Sequence, residues 1–66
     1  MRVTVNGEAR DVADGTSLVA LVEWLGLHVG AVVVEHNGTA LLRSELVAAT
    51  LADGDVLELV KAVAGG

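Results

Sequence analysis

The sequence contains no cysteine and no proline, and its only aromatic residue is Trp24. Without cysteine the chain can form no disulfide and offers no thiol for nucleophilic catalysis. His28 and His36 are the only candidates left as soft-metal ligands, so we expect no metal site. A chain of 66 residues must then rest on apolar packing and backbone hydrogen bonds.

Long apolar runs and clustered basic residues are also missing. Polar residues interrupt every long apolar stretch, which argues against a membrane span, and the first residues show no signal-peptide pattern, so we expect a cytoplasmic protein. Four basic residues against nine acidic ones give a net charge of −5, which argues against nucleic-acid binding and suits partners with basic surfaces. Hydrophobic residues still make up 53% of the chain, which excludes disorder.

Turn dipeptides divide the chain into short elements. They are Asn6-Gly7, Asp14-Gly15, Asn37-Gly38 and Asp53-Gly54. We expect strands over residues 1–5, 8–13, 31–36, 39–42 and 56–63. The valine-rich strand at 31–36 reads as a central strand buried on both faces, and residues 43–51 predict a short helical turn with irregular chain.

One helix is predicted between residues 16 and 26. Thr16 or Ser17 can cap its start, and Gly26 stands where a left-handed C-terminal cap would end it. Its apolar stripe consists of Leu18, Leu21, Val22 and Leu25. Trp24 falls off that stripe, so it either covers the sheet edge, partly buried, or faces a partner.

The order of these elements predicts the fold. The first and last strands can pair in parallel at the centre of a mixed sheet, joined by a right-handed crossover. The result is an α+β protein of the β-grasp (ubiquitin-like) type, with four to five strands and one main helix packed across one face. We expect residues 1–66 to form a single domain with a flexible C-terminal tail from about residue 62, monomeric when alone.

Residues for internal chemistry are scarce, and we expect no catalytic residue. Ser17 and Ser44 have no evident base beside them in the sequence, and His36 reads as a structural or partly exposed side chain. Asp53 and Asp55 flank a turn glycine and predict a turn rather than a cation site. Neither glycine-rich phosphate-loop pattern occurs.

The informative feature is the pair Gly65-Gly66, which follows the last predicted strand with only Ala64 between. Glycine has no Cβ, so such a tail is thin enough to enter a narrow channel of another protein. Its reactive group would be the α-carboxylate of Gly66, a poor electrophile until ATP converts it to an acyl adenylate. A sulfur nucleophile could then displace AMP. The plainer interpretation is a frayed end that happens to hold two glycines.

The sequence resembles the ThiS-type family of ubiquitin-like sulfur carriers of thiamine biosynthesis. The resemblance rests on VTVNG at 3–7, DGTSL at 14–18, VVEHNG at 33–38, RSE at 43–45 and DGDVLELVKAVAGG at 53–66. Leu42 departs from it, because the family commonly has proline there. The resemblance implies that an E1-like (ThiF-type) enzyme adenylates Gly66 with ATP. A sulfur donor such as a cysteine desulfurase then makes a thiocarboxylate, which serves thiazole synthase (ThiG-type). It implies a carrier rather than an enzyme, with Gly65 and Ala64 giving the tail clearance and no bound cofactor.

Alternation along the last strand predicts where a partner docks. An outward apolar patch rimmed by acids would suit a partner enzyme. Its expected members are Val33, Glu35, Glu58, Val60 and Ala62. Three alternatives stay open: a sulfur carrier for molybdopterin or cysteine synthesis, a non-covalent ubiquitin-like or TGS-type binding module, and a modifier that forms an isopeptide bond through Gly66.

Overall fold

The computed structural model describes residues 1–62, which form a five-stranded mixed sheet, two α-helices and a 3₁₀ turn at Val29–Ala31. The strands are β1 (Arg2–Val5), β2 (Glu8–Asp11), β3 (Val32–His36), β4 (Thr39–Ala40) and β5 (Val56–Lys61). The helices are α1 (Leu18–Trp24) and α2 (Arg43–Ala48). The strand order across the sheet is β2-β1-β5-β3-β4. The predicted β-grasp arrangement, with one main helix, is confirmed.

The first and last strands pair in parallel, as the element order predicts. Thr4 aligns with Val56 and Val5 with Leu57, whereas β5 pairs with β3 in the antiparallel sense. This places β5 in the middle of the sheet, so the strand that leads toward the C-terminus is held on both sides. The neighbours β1 and β3 each continue into a hairpin that forms an outer edge.

Helix α1 packs its apolar stripe on one face of the sheet, and local hydrogen bonds fix both of its ends. The Ser17 hydroxyl accepts from the backbone N–H of Ala20 at 3.0 Å, which caps the first turn. Gly26 adopts φ of +79°, and the N–H of Leu27 donates to the carbonyl of Val22 at 3.1 Å. This is a Schellman cap, and both predicted helix boundaries are therefore confirmed.

The core lies between α1 and the covered face of the sheet. Its fully buried side chains are Val3, Leu18, Leu21, Val22, Val34 and Leu57. Leu25, the last residue of the predicted stripe, is only partly buried. Leu46 of α2 and Leu51 close one side of the core. An apolar core of this size is what a disulfide-free chain of 66 residues requires.

One expectation about β3 is wrong. We expected this strand to be buried on both faces, yet Val32 and Val34 are buried while Val33 and Glu35 are exposed. The reason is that the helices cover only one face of the sheet. A continuous run of valines therefore reads like a two-sided core strand although only alternate side chains are covered.

Several element boundaries also differ from the prediction. β2 ends at Asp11 instead of residue 13, β4 ends at Ala40 instead of residue 42, and β5 ends at Lys61. Part of the segment at 43–51 forms α2, whose first residues are fixed by Glu45: its Oε1 accepts from the N–H of Leu42 at 2.7 Å. Proline at position 42 has no N–H and could not make that bond. The departure at Leu42 therefore lies at the exposed N-cap of α2.

The two Asn-Gly turns each brace the central strand. Asn6 and Asn37 have φ near +50°, the left-handed conformation that a type I′ hairpin turn demands. The Asn6 side chain accepts from the N–H of Leu59 at 2.8 Å and donates to its carbonyl at 3.2 Å, as a neighbouring strand would. The Asn37 side chain accepts from the N–H of Val56 at 2.8 Å. Hairpins on opposite sides therefore fix the start and the later part of β5.

Candidate functional site

The described chain reaches Ala62, just short of the proposed reactive end. Gly66, Gly65 and Ala64, the residues predicted to be modified or to give clearance, lie outside the described residues, as does the predicted flexibility of the tail. The N–H of Ala62 donates to the carbonyl of Ala31 at 2.9 Å, so pairing with the β3 side continues one residue beyond β5. The sheet thereby carries the chain in a defined direction up to the last four residues.

The predicted docking residues lie together on the open face, which is the side of the sheet opposite α1. Every second side chain of β5 points there, while Leu57 and Leu59 are buried beneath α1. Three cross-strand pairs follow one another toward the C-terminus: Glu58 with Glu35, Val60 with Val33, and Ala62 with Ala31. We call them the glutamate, valine and alanine pairs. Ala31 was not foreseen by sequence reasoning, because it was read as the first residue of a buried strand.

The valine pair is the exposed apolar part of this face. Val33 is 51% exposed and Val60 is 62% exposed, and both belong to strands whose other faces are buried. Val56, aligned with Thr4 of β1, adds a third valine that is 46% exposed. Val33 and Val60 are adjacent, whereas Val56 is separated from Val60 by Glu58 along the same face of β5. Exposed apolar side chains that lie next to each other in the middle of a sheet are a common mark of an interaction site.

The glutamate pair concentrates negative charge next to this patch. Glu35 and Glu58 are exposed and directly opposed across β3 and β5, and no ion pair formed within residues 1–62 includes either of them. Like charges in such positions repel and destabilise a sheet slightly. The face therefore combines exposed apolar side chains with two carboxylates that form no ion pair within residues 1–62.

A buried carboxylate orders the end of the sheet at the start of β5. Asp55 is 7% exposed and accepts from the N–H of Ala52 at 2.8 Å and the Asn37 side chain at 3.1 Å. The Nε2 atom of His36 lies 2.9 Å from Oδ2 of the same carboxylate, within hydrogen-bond distance. Burial alone would raise the pKa of Asp55, but the hydrogen bonds from Ala52, His36 and Asn37 together hold this pKa below its ordinary value. The cluster is structural, and the turn predicted for Asp53 and Asp55 is confirmed.

No metal centre is formed by the part of the chain that the structure describes: no three His, Cys, Asp or Glu side chains come together there. His28 lies on the surface and its Nδ1 accepts from the N–H of Gly30 at 3.0 Å. Neither α-helix within residues 1–62 has the length and apolar character needed to cross a bilayer.

Trp24 lies on the helix side, away from the open face. Its side chain is 65% exposed, whereas one of the two predictions was a partly buried side chain that covers the sheet edge. The Arg10 guanidinium of edge strand β2 lies 5.7 Å from the ring centre, which is a cation–π contact. Together with Ala20 and Asp11 the indole lines a shallow groove between α1 and β2. Trp24 therefore contacts the sheet edge through Arg10 of β2 while most of its surface stays exposed.

Comparison with known proteins shows sequence similarity to one family over nearly the whole chain. The sequence profile of the ThiS family matches residues 3–66. The sulfur carrier protein ThiS of Thermus thermophilus is 38% identical over 64 residues, which cover 97% of this chain and 98% of that protein. A thiazole synthase of Paramagnetospirillum magneticum is 33% identical over 66 residues, and one of Magnetococcus marinus is equally similar. This chain spans only 20% of the length of each thiazole synthase.

A solved structure shows the same fold. The crystal structure of the thiamine biosynthesis protein ThiS from Geobacter metallireducens superposes with a TM-score of 0.82 at 35% identity. The match covers 100% of both chains. Sequence and fold thus agree on one family over the full length of the domain.

Proposed function

The chain belongs to the ThiS family, and from this premise we propose that it is a sulfur carrier of thiamine biosynthesis whose reactive group is the carboxylate of Gly66. The observation that carries the proposal is that the family likeness extends through the last residue, within a match over residues 3–66. The fold is consistent with it, because the central strand β5 leads toward these residues.

The proposed chemistry takes place at the tail, with the reactants supplied by partner enzymes. A carboxylate oxygen of Gly66 attacks the α-phosphorus of ATP on a ThiF-type enzyme, and pyrophosphate leaves. The acyl adenylate then has AMP as a good leaving group. The terminal sulfur of a donor, such as the persulfide of a cysteine desulfurase, attacks the carbonyl carbon and displaces AMP, which leaves Gly66 joined to the donor through an acyl disulfide. A thiol reductant then attacks the donor's cysteine sulfur, forms a disulfide with it and releases the Gly66 thiocarboxylate. Because glycine carries no Cβ, Gly65 and Gly66 leave that carbon open to the approaching sulfur.

Thiazole synthase is the proposed consumer of the sulfur. Two relatives that match this chain are named thiazole synthase, although the chain spans only a fifth of their length. A thiocarboxylate on Gly66 would deliver its sulfur there, and the unmodified carboxylate would then be available for another cycle. In this role the protein is a co-substrate of its partner enzymes. We place the cycle in the cytoplasm, where ATP is available.

The open face is the proposed docking surface for these enzymes. Val33, Glu35, Glu58 and Val60 lie side by side there, and Ala62 continues the row toward the tail. An exposed apolar centre with charged neighbours has the composition expected of a transient interface. Docking through this surface would hold β5 against the partner while the residues after Ala62 enter its active site.

Growth complementation tests the proposed function. A bacterial strain that lacks its thiamine sulfur carrier, but retains the partner enzymes, should grow without added thiazole when it expresses this protein. A variant without Gly65 and Gly66 should fail at equal protein level, because it lacks the reactive end. If the truncated variant also restores growth, the tail is not the reactive group and a non-covalent binding module explains the protein better. Rescue of molybdopterin synthesis alone would move the protein to that pathway.

A further inference from the structure

We infer that the ThiF-type enzyme, when docked on the open face, holds the glutamate pair with a single arginine guanidinium and covers the valine pair with an apolar side chain. The inference rests on the proposed function and adds the chemistry of the partner surface. It starts from the register of β3 and β5, which puts Glu35 opposite Glu58 and Val33 opposite Val60.

The hydrogen-bond pattern brings the two carboxylates within reach of one ligand. Asn37 donates its backbone N–H to Val56, and Ala62 donates to Ala31, which places the intervening glutamate and valine pairs at hydrogen-bonded positions. The Cα atoms of such a pair lie about 5.5 Å apart. Both side chains leave the same face, so one planar group can contact both carboxylates.

The charge of this pair favours a cation from outside. Neither Glu35 nor Glu58 forms an ion pair with any residue between 1 and 62. Arg2, also on the open face, is engaged with Asp11 at 3.1 Å. The pair therefore carries a repulsion that the free protein leaves in place and a cationic partner would convert into attraction.

Arginine suits this position better than lysine. A guanidinium has five N–H donors in a rigid plane and can bond two carboxylates at once, whereas an ammonium acts as a compact, strongly hydrated point charge. Val56 and Val60 flank Glu58 along β5, so an enzyme that covers them also displaces water from around the carboxylates. Removing water strengthens such charge-assisted hydrogen bonds.

The order of the three pairs gives the partner surface a direction. Successive pairs stand about 7 Å apart, because every second residue of a strand faces the same side. From the far end toward the tail, the partner would present the guanidinium, then an apolar side chain, then backbone close to the small alanine pair. The entrance for the tail comes next. A surface with this order positions the tail in one orientation only.

Matched charge-neutralising variants test the inference. We would measure KM and kcat for ATP-dependent modification by the ThiF-type enzyme of the same host, at low and at physiological salt. The variants are Glu35→Gln, Glu58→Gln, the double variant and, as a control, Glu23→Gln on the exposed surface of α1. We expect each open-face single variant to raise KM roughly tenfold at low salt, with kcat nearly unchanged. The double variant should raise KM by less than the product of the two single fold increases, because both carboxylates share one cation.

The same variants should show the opposite effect on the free protein. Removing either carboxylate relieves the repulsion, so the thermal midpoint of Glu35→Gln and Glu58→Gln should rise by about 1–3 °C. Glu23→Gln should change neither KM nor the midpoint. A merely structural role of the glutamates would not combine a higher midpoint with a higher KM.

Two results would overturn the inference while leaving the proposed function standing. In the first, the enzyme modifies the wild-type protein, and Glu35→Gln and Glu58→Gln have the same KM as Glu23→Gln. The other is strictly multiplicative single effects, which would assign a separate cation to each carboxylate. If the enzyme does not modify the wild-type protein at Gly66 at all, the proposed function itself fails, and this inference fails with it.

Discussion

The two faces of β5 differ sharply in burial. On the covered face, Leu57 is fully buried and Leu59 is 7% exposed, both packed beneath α1. On the open face, Glu58 and Val60 alternate with them and are exposed. Within one strand of six residues, the side chains on one face are therefore buried in the core, and those on the other face stay exposed to solvent.

This difference separates the residues that build the protein from those we assign to docking. Exposed valines give up the free energy that burial would provide, about 1.5–3 kcal/mol for a side chain of this size. The covered row must therefore supply the stability of β5, together with the hairpins that brace it. Mutations on the two faces should accordingly affect different measurements.

The largest contrast is expected between Leu57→Ala and Val60→Ala. Truncating Leu57 leaves a cavity in the centre of the core and should lower the free energy of unfolding by about 2–5 kcal/mol. Truncating Val60, which is 62% exposed, should change it by less than about 0.5 kcal/mol. Urea denaturation measures both. Equal losses would mean that the open face is also part of the core.

The second effect concerns Asp55 and acid stability. The pKa of its carboxyl is lowered in the folded state, so its contribution is fully present above the unfolded value of about 3.9 and is lost as pH falls through the folded value. Asp55→Asn should therefore be less stable than wild type at neutral pH, and this difference should shrink in acid. The matched control is Glu23→Gln, because Glu23 is exposed on α1 and forms no ion pair within residues 1–62. Stability curves against pH that stay parallel for wild type and Asp55→Asn would contradict this account.

A smaller effect is expected from the brace at Asn6. Asn6→Gly keeps the positive φ of the turn but removes both side-chain hydrogen bonds to Leu59, so the loss should be about 1–2 kcal/mol. Faster amide exchange at Leu59 would locate the loss on β5. Asn6→Asp keeps the acceptor for the Leu59 N–H and should cost less. If glycine is tolerated as well as asparagine, the side chain does not brace the strand.

The smallest stability effect, and the sharpest functional one, is expected at the valine pair. Val33→Ser should leave the unfolding midpoint almost unchanged because half of the side chain is already exposed. It should raise KM with the ThiF-type enzyme several-fold, since the apolar contact would be lost. The control is Val47→Ser on α2, which is similarly exposed but away from the open face. Equal KM values for the two variants would argue against docking at the valine pair.

Much of this division could be predicted from the sequence. Alternation in β5 placed Leu57 and Leu59 inside and Glu58 and Val60 outside, and the turn dipeptides gave the order of the elements. The error at β3 has a physical cause, because periodicity within a run of valines does not reveal how many faces of the sheet are covered. That information depends on the number of helices packed on the sheet.

Side-chain contacts between distant segments were beyond the sequence patterns. Asn6 and Asn37 were recognised as turn formers, yet their bonds to β5 join segments up to 53 residues apart. The bonds from His36 and Asn37 to Asp55 likewise depend on the register of β3 against β5. The two Asn-Gly dipeptides predicted hairpin turns, but they did not predict that the asparagine side chains bond to β5. For the tail, the patterns predicted the role of Gly66, and that role remains a prediction.

Mass spectrometry of the intact protein tests the central proposal most directly. The purified protein would be incubated with ATP, the ThiF-type enzyme and a sulfur donor, and its C-terminal peptide would then be sequenced. We predict an increase equal to replacing one oxygen by sulfur, located on Gly66 and dependent on ATP. The variant without Gly65 and Gly66 should show no change. An unmodified Gly66 under conditions in which the same enzymes modify an established carrier would contradict the proposed function.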